Sequence, residues 1–290
     1  MIFELLREQL FQLALVAALL VGLCAPAVGT FIVQRRLALL GDGIGHVALT
    51  GVALGFLTGT TPVLTAVIIS VAGAVAIELV RARGRTSGDV ALALLFYGGI
   101  AGGVMLMAIA PGGSNAKLNS YLFGAIASVT PADIWVIAAL AVAVIGVVVI
   151  FGRELFVLCQ DEEMARASGL PVRFLSLLIA VTAALTVVIA MRVVGLLLVS
   201  ALMVIPVATS QQLTRGFRAT MATAMVFGVL ASVGGLLAST VSPKVPPGAS
   251  IVLIALAGFV LALAVGKFVR RGRSDEESRV GPTMRVEEVA

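Results

Sequence analysis

Charge is scarce in this chain. Only 12% of its 290 residues are Asp, Glu, Lys or Arg, against about 25% in a soluble globular domain. Hydrophobic residues make up 60%, and the mean hydropathy is +1.14. No soluble fold of this length hides so much apolar surface, so lipid is the solvent for most of it and a soluble enzyme is excluded. The apolar runs do not alternate with period two, which excludes a β-barrel. Cysteine is limited to Cys24 and Cys159. Neither has a C-x-x-C neighbour and each lies in or beside an apolar run, so both read as small buried hydrophobes, not as a disulfide or a zinc knuckle. There is no G-x-x-x-x-G-K-[ST] phosphate loop, so any ATP-driven work must be done by another subunit. No convincing internal repeat supports an inverted-repeat secondary transporter. Met1–Arg7 leads into no small-residue cleavage site, so the first apolar run is expected to be a retained helix. The net charge is +5, but the basic residues sit in short loops between apolar runs, the pattern of the positive-inside rule and not of nucleic-acid binding.

What is present is a succession of apolar runs near the ~20 residues that cross a hydrocarbon core. They cover Leu10–Val33, Gly41–Leu57, Val63–Val80, Val90–Ala110, Ile134–Phe151, Phe174–Ala190, Val193–Thr209, Ala219–Val241 and Ser250–Phe268. A further piece, Tyr121–Val129, is too short to span and is expected to be re-entrant or interfacial. Gly152–Arg173 reads as the largest polar insertion. Arg35/Arg36, Arg81/Arg83/Arg85, Arg153/Arg166/Arg173, Arg215/Arg218 and Arg270/Arg271/Arg273 fall at alternate ends of the runs. All are cytoplasmic together only with about nine crossings, an outside N-terminus and an inside C-terminus. The other face carries little charge: Thr58–Thr61, Lys117, Arg192 and Lys244. The expected fold is therefore all-α: a polytopic helical bundle of about nine transmembrane helices, with a short re-entrant segment and a cytoplasmic helix. Residues 1–269 form the membrane domain and 270–290 a charged, disordered tail.

Ionisable residues at membrane depth are costly and are functional candidates by default. The strongest case is Gly41-Asp42-Gly43-Ile44-Gly45-His46, which holds the single histidine of the chain. On a helix Asp42 and His46, four apart, share one face, and carboxylate plus imidazole suits zinc, manganese or ferrous iron. The alternatives are a structural Asp–His hydrogen bond, or an Asp42 that caps the second helix. Two ligands do not close a site; two copies about a two-fold axis would supply four. Glu78 reads as a snorkelling residue at the cytoplasmic end of the third run, and Asp89 as a helix N-terminal charge. Met105, Met107, Met191 and Met203 read as packing, not as a copper path. In Gln160–Pro171, Asp161 can cap a short helix whose first turn carries Glu162 and Glu163. Ala165 and Ala167 favour helix, Arg166 follows them, Gly169 fits the left-handed C-terminal position and Pro171 ends it. This is a short amphipathic helix displayed in the cytoplasm, either ordinary and interfacial or a docking element for a partner.

Together these segments resemble the permease subunits of bacterial ABC importers for divalent metals, over nearly the whole chain. The resemblance is carried by Arg35 through Ala48, by Leu122-Phe123-Gly124, by Asp161–Gly169, by Val194 through Pro206, and by Pro247-Gly248-Ala249-Ser250-Ile251-Val252, in that order. Gly45, Thr50 and Ala249-Ser250 depart from the family pattern and leave the choice of metal open. The resemblance implies that Asp42 and His46 line the metal path. It implies that Asp161, Glu162, Glu163, Ala165, Arg166 and Gly169 form the helix that couples to an ATP-binding subunit. The implied partners are a second copy of the permease, cytoplasmic ATP-binding subunits and an extracytoplasmic metal-binding protein, in the bacterial inner membrane and with no permanently bound cofactor. Zinc is the expected cargo because imidazole suits it and no thiolate lines the path; manganese or iron are alternatives. Metal binding should weaken as His46 protonates. A siderophore or cobalamin permease would not need the Asp42–His46 pair, and a proton-coupled carrier would need no coupling helix.

Overall fold

The computed structural model describes residues 9–82, 88–111, 115–124, 131–240 and 245–279. The expectations for Met1–Arg7, Arg83, Arg85, Ala125–Val129, Lys244 and residues 280–290 lie outside these, as do the side chains of Asp89 and Lys117. Every regular element among the described residues is an α-helix: α1 Gln9–Gln34, α2 Leu40–Thr58, α3 Pro62–Ala82, α4 Gly88–Ile109, α5 Asn115–Phe123, α6 Pro131–Gln160, α7 Glu162–Ala167, α8 Val172–Met191, α9 Leu196–Leu213, α10 Phe217–Ser239 and α11 Pro247–Arg279.

Eight of these are long and apolar enough to cross a membrane. Their apolar character runs all round, as lipid and a buried core on opposite faces require. α1, α2 and α8 form the buried centre, while α3, α4, α6 and α11 turn apolar faces outward. A ninth apolar helix, α9, carries Pro206 inside it. It returns the chain from the end of α8 to the start of α10.

Contacts between chain ends define two sides. Arg35, at the end of α1, bonds to Ser176 in α8 and to Glu162 in α7. A cleft there also takes in Glu78, Arg81 and Ala82 from the end of α3. Gln34, Gln160 and Arg215 share a second crevice, and Gly266 of α11 abuts Gln212 of α9. The basic clusters therefore gather on one side, which the positive-inside rule makes cytoplasmic. On the other side Gly124 and Gly195, at φ +77° and +89°, let the α5 end and the α8–α9 turn lie backbone to backbone. A Cβ on Gly195 would sit 2.3 Å from the Phe123 carbonyl carbon.

Three sequence boundaries move. α6 does not stop at Phe151 but continues to Gln160, because Leu155, Leu158 and Cys159 are buried against the core in spite of Arg153 and Glu154. The expected insertion Gly152–Arg173 shrinks accordingly to the α7 segment. The short piece begins its helix at Asn115, before the expected Tyr121, and is helical to Phe123. α11 runs through Arg279, past the Arg270 start of the expected tail.

Candidate metal centre and docking helix

α2 lies among α3, α4, α8 and α9. Its approach to α4 requires glycine: a Cβ on Gly99 would meet the His46 carbonyl carbon at 2.6 Å, and Thr50 Oγ1 donates to the Gly99 carbonyl at 2.8 Å. Val47 packs in the same way on Gly73. Gly73 and Gly99 stand at the midpoints of α3, 21 residues long, and α4, 22 residues long. His46 therefore sits halfway across the bundle, and Asp42 about 6 Å nearer the cytoplasm.

Asp42 is not a helix cap. The N-cap position is Leu39, which makes no side-chain cap bond. The Asp42 carboxylate instead accepts from Ser200 Oγ of α9 at 2.7 Å, and Met203 packs its sulfur beside Gly41. His46 is buried, its ring centroid 4.5 Å from that of Phe96 with the two planes at 78°. Its Nδ1 has no hydrogen-bond partner among the described residues, so the structural Asp–His bond is not made through that atom. A buried ring nitrogen left without a partner is costly, and a metal ion would satisfy it. No group of three or more His, Cys, Asp or Glu placed to hold a metal ion occurs among the described residues; beside Asp42 and His46 the candidate site has the Ser200 hydroxyl.

α7, the candidate docking helix, takes the geometry read from its sequence. Asp161 caps α7 from extended backbone, its carboxylate accepting from the amides of Glu163 at 2.8 Å and Met164 at 3.0 Å. Ala165 is fully buried, while Asp161, Glu162, Glu163, Met164 and Arg166 are exposed. Gly169 ends the helix at φ +77°, with Leu170 N–H bonded back to the Ala165 carbonyl. Glu162 and Arg166 pair at 3.2 Å.

Glu78 pairs with Arg81 at 2.9 Å at the cytoplasmic end of α3, where both line the cleft. Met107, Met191 and Met203 are buried, while Met105 is exposed on α4. Cys24 and Cys159 are buried free thiols. Two features escaped the sequence reading. Ser200 lies inside an apolar run, and its polarity at membrane depth was the available signal. Arg192 pairs with Asp133 and donates to the Tyr121 hydroxyl at 3.2 Å, tying α5, α6 and α8 together at the outer side; residues 59 and 71 apart leave no local trace of this.

Residues 7–266 match the family described as ABC 3 transport family. Similar to this chain is the manganese transport system membrane protein MntC of Halalkalibacterium halodurans, at 35% identity over 89% of this chain and 88% of that protein. The manganese import system permease protein ScaB of Streptococcus gordonii is 31% identical over 88% of this chain and 90% of its own. Among solved structures, PsaBC from Streptococcus pneumoniae, in complex with Fab, superposes with a TM-score of 0.81 at 32% identity, over 90% of this chain and 93% of that one.

Proposed function

The chain belongs to the ABC 3 transport family, and from that premise we propose that it is the membrane-spanning subunit of an ATP-driven importer whose cargo is manganese(II). It is a multi-pass membrane protein and a transport component, not an enzyme. The observation that carries the cargo reading is the Asp42–His46 pair, halfway across the bundle with an unpartnered imidazole nitrogen and with Ser200 bonded to the carboxylate.

The expected zinc gives way to manganese for two reasons. The relatives at 31–35% identity named above are manganese transport proteins. The Ser200 hydroxyl also adds a hard oxygen beside the carboxylate, and oxygen-rich sites suit manganese where softer ones suit zinc. Iron(II) shares this chemistry and remains the nearest alternative. A siderophore or cobalamin cargo is disfavoured, since it leaves the carboxylate–imidazole pair at membrane depth without a task. A proton-coupled carrier is disfavoured by α7, a capped, exposed helix that such a carrier does not need.

The partners follow from the same reading. Two copies of the chain face each other in the bacterial inner membrane, with lipid around them. ATP-binding subunits dock on Asp161–Gly169, and an extracytoplasmic metal-binding protein delivers the ion to the outer side. ATP-driven closure of the cytoplasmic subunits pushes on α7 and rocks the helices, switching access to Asp42 and His46. Asp42 neutralises part of the ion's charge and His46 supplies a nitrogen, so the ion never faces hydrocarbon bare.

The test is ATP-driven uptake of manganese and of zinc into proteoliposomes holding the whole complex. Manganese uptake that exceeds zinc uptake, and that is lost in His46→Ala and Asp42→Asn with assembly intact, is the expected result. Preferred zinc uptake would overturn the cargo, and unchanged uptake in both variants would overturn the site.

A further inference from the structure

Docking on α7 has to reach α2, where Asp42 and His46 sit, and one side chain spans that gap. Arg35 donates from Nη2 to Glu162 Oε2 at 3.1 Å and from Nη1 to Ser176 Oγ at 2.9 Å. Its side chain is only 8% exposed. Glu162 stands on the displayed helix and shares its other oxygen with Arg166. Arg35 stands at the corner between α1 and α2. That corner is tight: Arg36 takes φ +58°, a left-handed conformation costly for a side-chain-bearing residue. Arg36 N–H bonds to Val33, Leu37 N–H to Ile32 and Leu40 N–H to Leu37, at 2.8–3.0 Å. Little slack remains between Arg35 and Asp42, at the start of the next helix. Beside the pair lies a cytoplasmic cleft of about 920 Å³ lined by Arg35, Glu78, Arg81, Glu162, Arg166 and Ser176, so α7 has open space next to it.

We propose that Arg35 is the positioning residue that couples the docking helix to the metal-binding helix, through its ion pair with Glu162. Displacement of α7 pulls the guanidinium, which turns the rigid α1–α2 corner and shifts Asp42 and His46. Breaking the pair leaves the ATP-binding subunit docked but its stroke delivered to α6 and α8 alone. This rests on α7 being the docking helix, and the experiment separates the two.

The measurement is the number of manganese ions imported per ATP hydrolysed by the reconstituted complex, with co-purification of the ATP-binding subunit scored in parallel. Arg35→Gln should retain the ATP-binding subunit and lower the ratio about ten-fold. Glu162→Gln, an isosteric change on an exposed side chain that leaves folding intact, should lower it similarly, and the double variant should fall no further than either single one. An unchanged ratio in Arg35→Gln or Glu162→Gln, or losses that multiply in the double variant, would overturn the proposal. Met164→Asp, on the exposed face of α7, tests the underlying reading. It should release the ATP-binding subunit; retention would sink the docking reading itself, whatever the ratio does.

Discussion

At the scale of single residues, Ser200 matters because it holds the carboxylate proposed to meet the ion. Its hydroxyl donates to Asp42 at 2.7 Å, and groups that orient a metal ligand are worth roughly 10–100-fold in affinity or activity. Ser200→Ala is therefore expected to raise the KM for manganese uptake about ten-fold with little change in assembly; an unaltered KM would make the bond incidental. Gly99 has no room for a side chain, since a Cβ would stand 2.6 Å from the His46 carbonyl carbon. Gly99→Ala must push α4 off α2, at a cost of about 1–3 kcal/mol. The expected outcome is a lower melting temperature in detergent together with lost uptake. The pair Asp42 and His46 was legible because an acid and the lone histidine at helical spacing stand out against an apolar run. Ser200 was not, because serine is common in membrane helices and its partner lies 158 residues away.

At the scale of elements, α7 is the clearest success of local reading and also the most fragile piece. It has six residues, well below the length at which a helix holds itself in water. Its caps and the buried Ala165 must hold it. Asp161→Ala removes the acceptor of two amide bonds, at a cost of about 1 kcal/mol. The ATP-binding subunit should co-purify less well with this variant, whereas Asp161→Asn should behave nearly as wild type; equal co-purification in all three would show that docking does not depend on the cap. Caps, turn glycine and prolines are local signals, which is why this helix was readable. The end of α6 was not. Charged Arg153 and Glu154 mark a lipid boundary, but the backbone stays helical where Leu155 and Leu158 still find a core to bury into. Hydropathy detects the membrane, not the helix, and the two part company wherever a helix projects beyond the bilayer.

At the scale of the whole molecule, the sidedness of the arginines was legible because the membrane imposes it on every loop at once. The outer knot of Gly124, Gly195 and Gly248, where a Cβ on Gly248 would sit 1.8 Å from the Val194 carbonyl, joins segments remote in sequence and has no local signature beyond the glycines themselves. The same limit applies to the proposed metal centre, which a single chain leaves short of ligands. One chain offers a carboxylate and an imidazole with a neighbouring hydroxyl, and no third His, Cys, Asp or Glu joins them among the described residues. Manganese takes a larger shell of oxygen and nitrogen donors than that. Asp42 is only half-buried in the single chain, which leaves its carboxylate reachable from a second copy. In the proposed dimer, a two-fold axis beside α2 would bring the two carboxylates and their hydroxyls together, with the imidazoles behind them. Purified complex is then expected to bind one manganese ion per two chains, with a complex carrying His46→Ala in a single copy losing most of its affinity. A stoichiometry of one ion per chain, unaffected by the neighbouring copy, would mean that each chain completes its shell with water or backbone oxygens and that the two paths run independently.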